Sequence, residues 1–229
     1  MASSTATSQL YYDPSNPSSY SGSGTTISNV GSYGTLNGTF NGGVSYISGT
    51  ASGVLDFNGT NGFISFPTYN FGSTITIMGW VYPRSTANIN TLLANAGANQ
   101  ATNGFKTAWN WWLTNSRVLY FEAGNSSAGG AQHTVQNLIT YNAWQHIAYI
   151  LDRANQKVLF LLNGVPVDMA TSINTVANYG VNQAFNIGAM IGSSYHMNAQ
   201  LGYVKVFNTL LNVSQIYADY DTSKARFGL

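Results

Sequence analysis

The 229-residue sequence contains no cysteine, so neither disulfide bonds nor thiolate chemistry can contribute to its fold or its function. Charged residues are also scarce, at 7% of the chain, and the formal net charge is only +1. Ordinary globular proteins contain about 25% charged residues. Without a basic patch to neutralise phosphates, we expect no nucleic-acid binding. The polar surface must instead consist of uncharged side chains and glycine, which suits contacts with sugars or with other protein subunits.

Long apolar runs are missing as well. No stretch approaches the roughly 18 consecutive apolar residues of a membrane-spanning helix, so we expect no membrane insertion. Residues 1–9 are small and polar, and they have neither the basic nor the apolar region of a secretory signal. The sequence therefore predicts a flexible N-terminal arm over residues 1–9, followed by one domain over residues 10–229.

Acidic residues are too few and too scattered to indicate a catalytic or metal centre. A glycoside hydrolase usually needs two carboxylates that flank the scissile bond. The single glutamate, Glu122, has no acidic residue two or four positions away. Calcium prefers about six to eight oxygen ligands, whereas Asp56, Asp152 and Asp168 are far apart in the sequence. We expect Asp152 to begin a turn through a local backbone bond. The sequence thus predicts no catalytic residue, no metal and no cofactor.

The chain does contain a succession of short strand patterns rich in β-branched and aromatic residues, separated by Asn-Gly and glycine-rich turns. The clearest strands are residues 54–57, 63–66, 74–82, 144–151, 158–162, 165–167 and 202–207. Asn163 and Gly164 form a two-residue loop, because Asn-Gly supplies the positive φ angles of a type I′ hairpin turn. The pattern predicts an antiparallel all-β domain.

Only one helix is predicted, and it is short. Asn212 can cap a helix over residues 212–220, and Gln215 completes a capping box with it. Ile216 and Tyr220 lie four residues apart, so they would pack one face of this helix onto the strands.

Four parts of the chain occur in a familiar order: residues 17–26 with 33–38, residues 55–64, residues 144–148 with 161–165, and residues 187–189 with 201–208 and 211–216. Together they resemble the laminin-G-like jelly-roll family of the concanavalin A-like superfamily. The resemblance covers residues 10–220, and it implies a two-sheet antiparallel jelly-roll sandwich with one short C-terminal helix. It also implies that His146, whose strand is similar to the family's WHHVA segment, is structural. We expect Trp80 and Trp144 to lie in the core.

A second resemblance concerns function, because fold alone does not define it. The segments SYSGSGTT, near the start, and KARFGL, at the end, resemble virion proteins of tailed phages and large DNA viruses. This implies a non-enzymatic virion structural protein (capsid decoration, minor capsid or fibre module), made in the host cytoplasm and located on the virion. Its partners would be other virion proteins, copies of itself and host surface glycans. The alternative is a free carbohydrate-binding module or adhesin; a glycoside hydrolase is the remote alternative.

Candidate binding residues lie in an aromatic segment and in three polar loops. Trp109 and Trp111 would share one face of a strand, with Trp112 on the other face, which suits either core packing or a platform for a sugar ring. Ligand sites often lie on loops, and the loops in question are residues 96–104, 124–132 and 192–198. We predict that glycan or partner binding involves Trp112, Asn125, Tyr195 and His196.

Overall fold

A computed structural model describes residues 6–86, 88–96, 104–110, 116–124, 129–133, 137–171 and 182–229. In this part of the chain, sixteen strands precede the α-helix α1 (Val213–Ser223) and a 3-10 helix (Lys224–Phe227). The strands are β1 (Leu10–Tyr12), β2 (Thr26–Ile27), β3 (Gly38–Asn41), β4 (Val44–Ile47), β5 (Val54–Asn58), β6 (Phe63–Tyr69), β7 (Thr74–Pro83), β8 (Asn90–Ala94), β9 (Gly104–Trp109), β10 (Leu119–Gly124), β11 (Gly129–His133), β12 (Gln145–Asp152), β13 (Lys157–Leu162), β14 (Val165–Thr171), β15 (Gln183–Ile187) and β16 (Asn198–Phe207).

The strands form two antiparallel sheets. The first sheet has the order β14-β13-β12-β7-β16-β5-β4, and β1 pairs with β16. The second sheet has the order β11-β10-β9-β8-β15-β6-β3-β2. The inner faces of both sheets form one apolar core, and Tyr149 crosses it, donating from its hydroxyl to the Ala108 carbonyl of the second sheet at 2.5 Å. The predicted two-sheet all-β sandwich is confirmed.

Side chains along β7 alternate between the two faces of the first sheet, and both faces are buried. Ile75, Ile77 and Val81 point into the core between the sheets. Met78 and Trp80 point the other way, yet they are also buried, because α1 and the 3-10 helix cover them. The first sheet is therefore a middle layer, and the second sheet forms the opposite side of the molecule.

The C-terminal helix begins as predicted. The Asn212 side chain accepts a hydrogen bond from the Gln215 backbone at 2.9 Å, and the Gln215 side chain accepts one from the Asn212 backbone at 3.0 Å. This confirms the capping box, although α1 ends at Ser223, three residues beyond the expected end. Within the described ranges, no helix is long and apolar enough to cross a membrane.

Of the three tryptophans that the structure describes, one lies in the core between the sheets and two lie on the outer face of the first sheet. Trp109 is fully buried in the core between the sheets, as core packing requires. Trp80 is also fully buried, but on the outer face of the first sheet, where its ring centroid lies 4.3 Å from that of Phe227. Trp144 is only half-buried and packs at the edge of the same cluster, 4.7 Å from Phe227. Trp144 therefore lies at the border of this outer cluster and not, as predicted, within a buried core.

Two predicted turns have different roles. Asn163 and Gly164 both have positive φ, 51° and 77°, which confirms the type I′ hairpin between β13 and β14. Strands β5 and β6, by contrast, do not pair, since they belong to different sheets. The turn between them is held by Asn58, whose side-chain oxygen accepts from the backbone N–H groups of Thr60, Asn61 and Gly62.

The beginning of the described chain is attached to the first sheet. The Gln9 backbone donates to the Val206 carbonyl at 2.8 Å, and the Ser8 carbonyl accepts from the Ser32 backbone at 2.9 Å. Residues 1–5 lie outside the described residues, so a flexible arm over residues 1–9 stays a prediction for that part.

Candidate functional site

One row of aligned side chains crosses the outer face of the second sheet. In spatial order the row consists of Thr39 (β3), Ser65 (β6), Asn186 (β15), Ala94 (β8), Lys106 (β9) and Glu122 (β10). Their strand neighbours, such as Ile64, Ile187 and Phe121, point into the core. Because successive residues of a strand point to opposite faces, the row points away from the core.

The row passes from solvent to a buried end. Thr39 is exposed and Ser65 is half-buried. Asn186, Lys106 and Glu122 have relative exposures of only 6%, 2% and 6%. The outer face of the second sheet is therefore open over β3 and β6 and closed over β9 and β10.

A buried ion pair occupies the closed end. The Lys106 ammonium lies 3.0 Å from a Glu122 carboxylate oxygen, and the Tyr120 hydroxyl donates to the other carboxylate oxygen. Lys106 also lies 3.6 Å from the sulfur of Met190. Burial lowers the pKa of Lys106, and the negative charge of Glu122 opposes that shift. The carboxylate of Glu122 is thus engaged by one cation and one hydroxyl.

Uncharged hydrogen-bonding groups occupy the open end. The Asn41 amide donates to the Ser65 hydroxyl at 2.9 Å and to the Thr39 carbonyl at 2.8 Å. Further along the row, the Asn186 amide donates to the Met190 carbonyl at 3.1 Å. These bonds hold the side chains of Asn41, Ser65 and Asn186 in position, so their polar atoms have little freedom to rearrange.

Tyr195 lies beside the closed end of the row. It packs against the cluster of Ile89, Ala94, Ala108, Tyr120 and Met190. Burial raises the pKa of Tyr195, and the nearby charge of Glu122 raises it further. Its backbone φ is 53°, a left-handed conformation that is uncommon for a non-glycine residue. Such strained positions occur often at ligand sites.

His196, in the same loop as Tyr195, lies beside the open end of the row. Its Nδ1 lies 3.4 Å from the Gly62 carbonyl, and its Nε2 lies 3.2 Å from the Ser193 carbonyl. The imidazole is also 6.0 Å from the ring of Phe63, which is two residues before Ser65 on β6 and so shares its face. Phe63 and His196 therefore form an aromatic flank of the row.

The structure brings two of the four predicted binding residues, Tyr195 and His196, to one loop beside the row. The other two, Asn125 and Trp112, lie outside the described residues. The binding role of all four stays a prediction. Sequence reasoning missed Ser65, Asn186 and Thr39, because β3, β6 and β15 are neighbours in space but far apart in the chain.

Two of the aspartates that could each offer an oxygen to calcium, Asp56 and Asp152, have partners within the protein. Asp56 forms an ion pair with Arg84. Asp152 accepts hydrogen bonds from the backbone and side-chain nitrogens of Asn155 at 3.1 and 2.7 Å, which confirms its role in the turn. The bond from the Asn155 side chain is the largest cause of the lowered pKa of Asp152. Over the ranges that the structure describes, no three histidine or acidic residues cluster as metal ligands would.

A family model described as the concanavalin A-like lectin/glucanases superfamily matches residues 58–217. The chain belongs to this superfamily. No curated protein sequence matches the chain.

Several solved structures share the fold at low sequence identity. The botulinum neurotoxin serotype G binding domain has a TM-score of 0.69 and 12% identity, with 95% of this chain and 51% of that chain covered. The binding domain of botulinum neurotoxin DC in complex with SialylT has a TM-score of 0.71 and 11% identity, with 96% and 52% covered. This chain thus spans about half the length of these toxin domains. Domain 4 of AbnA, a GH43 extracellular arabinanase from Geobacillus stearothermophilus, in complex with arabinotriose, has a TM-score of 0.67 and 19% identity, with 93% and 98% covered.

Proposed function

We propose that the chain is a non-catalytic carbohydrate-binding module that holds an uncharged glycan across the outer face of the second sheet. The observation that carries the proposal is the row from Thr39 through Ser65 to Asn186, flanked by the rings of Phe63 and His196. Sugar hydroxyls bind well to donors and acceptors in fixed positions, and the apolar faces of sugar rings pack well on aromatic side chains. Specific sites combine these two features.

The electrostatics favour a neutral ligand. The ion pair of Lys106 and Glu122 brings no net charge to the closed end of the row. In the part of the chain that the structure describes, the open end carries the hydroxyls of Thr39 and Ser65 and the amide of Asn41. Strands β3, β6 and β15 lie at successive spacings of about 4.8 Å. The row from the exposed Thr39 to the nearly buried Asn186 is therefore about 10 Å wide. A short oligosaccharide would lie across the strands there. The AbnA domain holding arabinotriose and the toxin domain holding SialylT support such a role for the fold.

The absence of hydrolase activity forms part of the proposal. A catalytic carboxylate must reach the glycosidic bond, and a second carboxylate usually flanks that bond. Lys106 and Tyr120 engage Glu122 instead. We expect no release of reducing ends from laminarin, agar or arabinan. Release that disappears in Glu122→Gln would contradict this part of the proposal.

The binding experiment is a glycan array followed by calorimetric titration, with arabinotriose as the first defined probe. Thr39→Trp covers the exposed start of the row with a large ring and should weaken binding of an array-selected neutral glycan at least tenfold. Ser45→Trp is the matched control, because Ser45 is exposed on β4 of the first sheet. Ser65→Ala should weaken binding without blocking access. Unchanged affinity in both row variants would contradict the site.

We also propose that copies of this module assemble on a virus particle, as a decoration, minor capsid or fibre component made in the host cytoplasm. Support comes from the scarcity of charge and from β14, the last strand in the order of the first sheet. Val165 and Met169 of β14 are 54% and 51% exposed, and Tyr217 of α1, itself 47% exposed, lies near the turn preceding β14. Exposed apolar groups of this kind suit contacts between subunits.

Sedimentation at micromolar concentration tests this assembly. We expect an oligomer that dissociates in Val165→Lys/Met169→Lys, while Ser45→Lys leaves it intact. Mass spectrometry of purified particles tests the location. A strictly monomeric chain that no particle contains would leave only the free carbohydrate-binding module.

A further inference from the structure

A cavity of about 390 Å³ lies on the opposite side of the molecule from the row, between residues 6–8, the first sheet and α1. Its floor is apolar and buried, and consists of Met78, Phe207 and Leu211. Ala218 of α1 forms part of the wall. The rim includes the exposed residues Thr7 and Thr222, so a ligand can enter from solvent.

One end of this cavity is polar. Lys205 and Asp219 line it together with Tyr11. The Asp219 carboxylate accepts from Lys205 and, at 2.5 Å, from the Tyr203 hydroxyl, and it lies 3.3 Å from the His146 Nε2. Both of its oxygens are therefore engaged. An ammonium carries three N–H donors, and in the described structure one of those of Lys205 goes to Asp219. The ammonium also lies 4.9 and 4.7 Å from the ring centroids of Tyr11 and Tyr203, and these rings take up part of its surroundings. Since Lys205 lines the cavity as well, an N–H group that does not go to Asp219 can donate to a ligand there.

The charges at this end decide which ligand fits. Lys205 and Asp219 cancel each other as an ion pair, and their side chains are only 18% and 13% exposed. An anionic ligand beside Lys205 would also lie close to the Asp219 carboxylate. A cationic ligand would meet the Lys205 ammonium. An uncharged oxygen acceptor can take a Lys205 N–H group without either penalty.

We propose that this cavity binds a small neutral amphiphile, with an apolar body on Met78, Phe207 and Leu211 and a hydroxyl or carbonyl oxygen that accepts from Lys205. Ligand sites in proteins commonly have volumes of about 300–1,000 Å³ and combine apolar walls with a few polar groups. The cavity and the row lie on opposite outer faces of the sandwich. Loss of one site should therefore leave the other intact, and the two proposals can fail separately.

The experiment titrates the full chain with 1-hexanol, hexanoate and hexylammonium, and follows backbone amide shifts by NMR. We expect saturable shifts around Phe207, Ala218 and Thr222 with hexanol, and at least tenfold weaker binding of both ions. Binding of either ion as tightly as hexanol, or no saturable shift with hexanol, would overturn the proposal.

Two variants locate the site. Ala218→Phe fills the cavity from its wall and should weaken hexanol binding at least tenfold. Ala225→Phe is the matched control, because Ala225 is exposed on the 3-10 helix and does not line the cavity. If Ala218→Phe fails to fold, Thr222→Trp narrows the exposed rim and should give the same loss. Unchanged hexanol binding in a folded rim or wall variant would also overturn the proposal.

Discussion

One mostly buried carboxylate joins α1 to the first sheet in addition to their apolar contacts, and its removal is a sharp test of the structure. Asp219 binds Lys205, Tyr203 and His146, three residues on strands of the first sheet. Burial alone would raise the pKa of Asp219, but the His146 hydrogen bond and the Lys205 charge outweigh burial and hold that pKa well below its usual range. The ionised carboxylate is therefore part of the folded state.

Asp219→Ala leaves Lys205 as a mostly buried cation without its counter-ion, and it removes an acceptor from the Tyr203 hydroxyl. Removal of one partner from a buried ion pair typically costs about 3–5 kcal/mol. Lys205 is 18% exposed and can turn partly towards water, so we expect a loss of about 3 kcal/mol in the free energy of unfolding. Asp219→Asn should cost less, because the amide oxygen still accepts one hydrogen bond.

Urea denaturation followed by tryptophan fluorescence measures this loss. Asp221→Ala is the matched control, since Asp221 lies two residues along α1 and its ion pair with Lys224 is largely exposed. Exposed pairs contribute little to stability, so this control should unfold near the wild-type urea midpoint. If Asp219→Ala costs no more than Asp221→Ala, the carboxylate does not hold the helix and the reasoning is wrong.

Three further changes test other parts of the fold. Burial lowers the pKa of His146 below 6.5, so His146 takes up a proton on unfolding at lower pH. The free energy of unfolding should therefore fall as the pH drops below 6.5. Urea titrations at several pH values should show a smaller decrease of this free energy in His146→Gln. Gly79→Ala places a methyl group 2.3 Å from the Tyr203 carbonyl oxygen and should cost about 1–3 kcal/mol in urea, whereas Gly49→Ala, with open space around it, should stay within about 0.5 kcal/mol. Asn212→Ala removes the helix cap and should cost about 1 kcal/mol, measured as a lower thermal midpoint.

Local signals in the sequence predicted the elements that depend on neighbouring residues. Asn163 and Gly164 predicted their hairpin, and Asn212 with Gln215 predicted the start of α1, because turns and caps depend on a few adjacent residues. The alternation in β7 predicted a strand. It did not reveal that Trp80 faces a helix, since both faces of a middle strand are buried and the alternation does not say which layer covers each face.

The candidate site was only partly predictable for a related reason. Polar, glycine-rich composition pointed to the loop of Tyr195 and His196, since such loops often carry ligand sites. The row itself depends on pairing of strands that are distant in the chain: Ser65 and Asn186 face one another across β6 and β15. Glu122 was considered as a lone carboxylate, but its partner Lys106 comes from the register of β9 and β10. Register between strands follows from tertiary packing and cannot be seen in single segments.

The two ends of the described chain are fastened to the same side of the sandwich. Ala6 and Thr7 border the helix-covered face of the first sheet. Close to the other end, Arg226 donates to the Asp13 carboxylate at 3.0 Å, and Phe227 stacks on Trp80. A fusion partner joined after Leu229 would therefore leave from the helix-covered side of the sandwich. Held on a surface by such a fusion, the molecule would turn the outer face of its second sheet towards the surroundings.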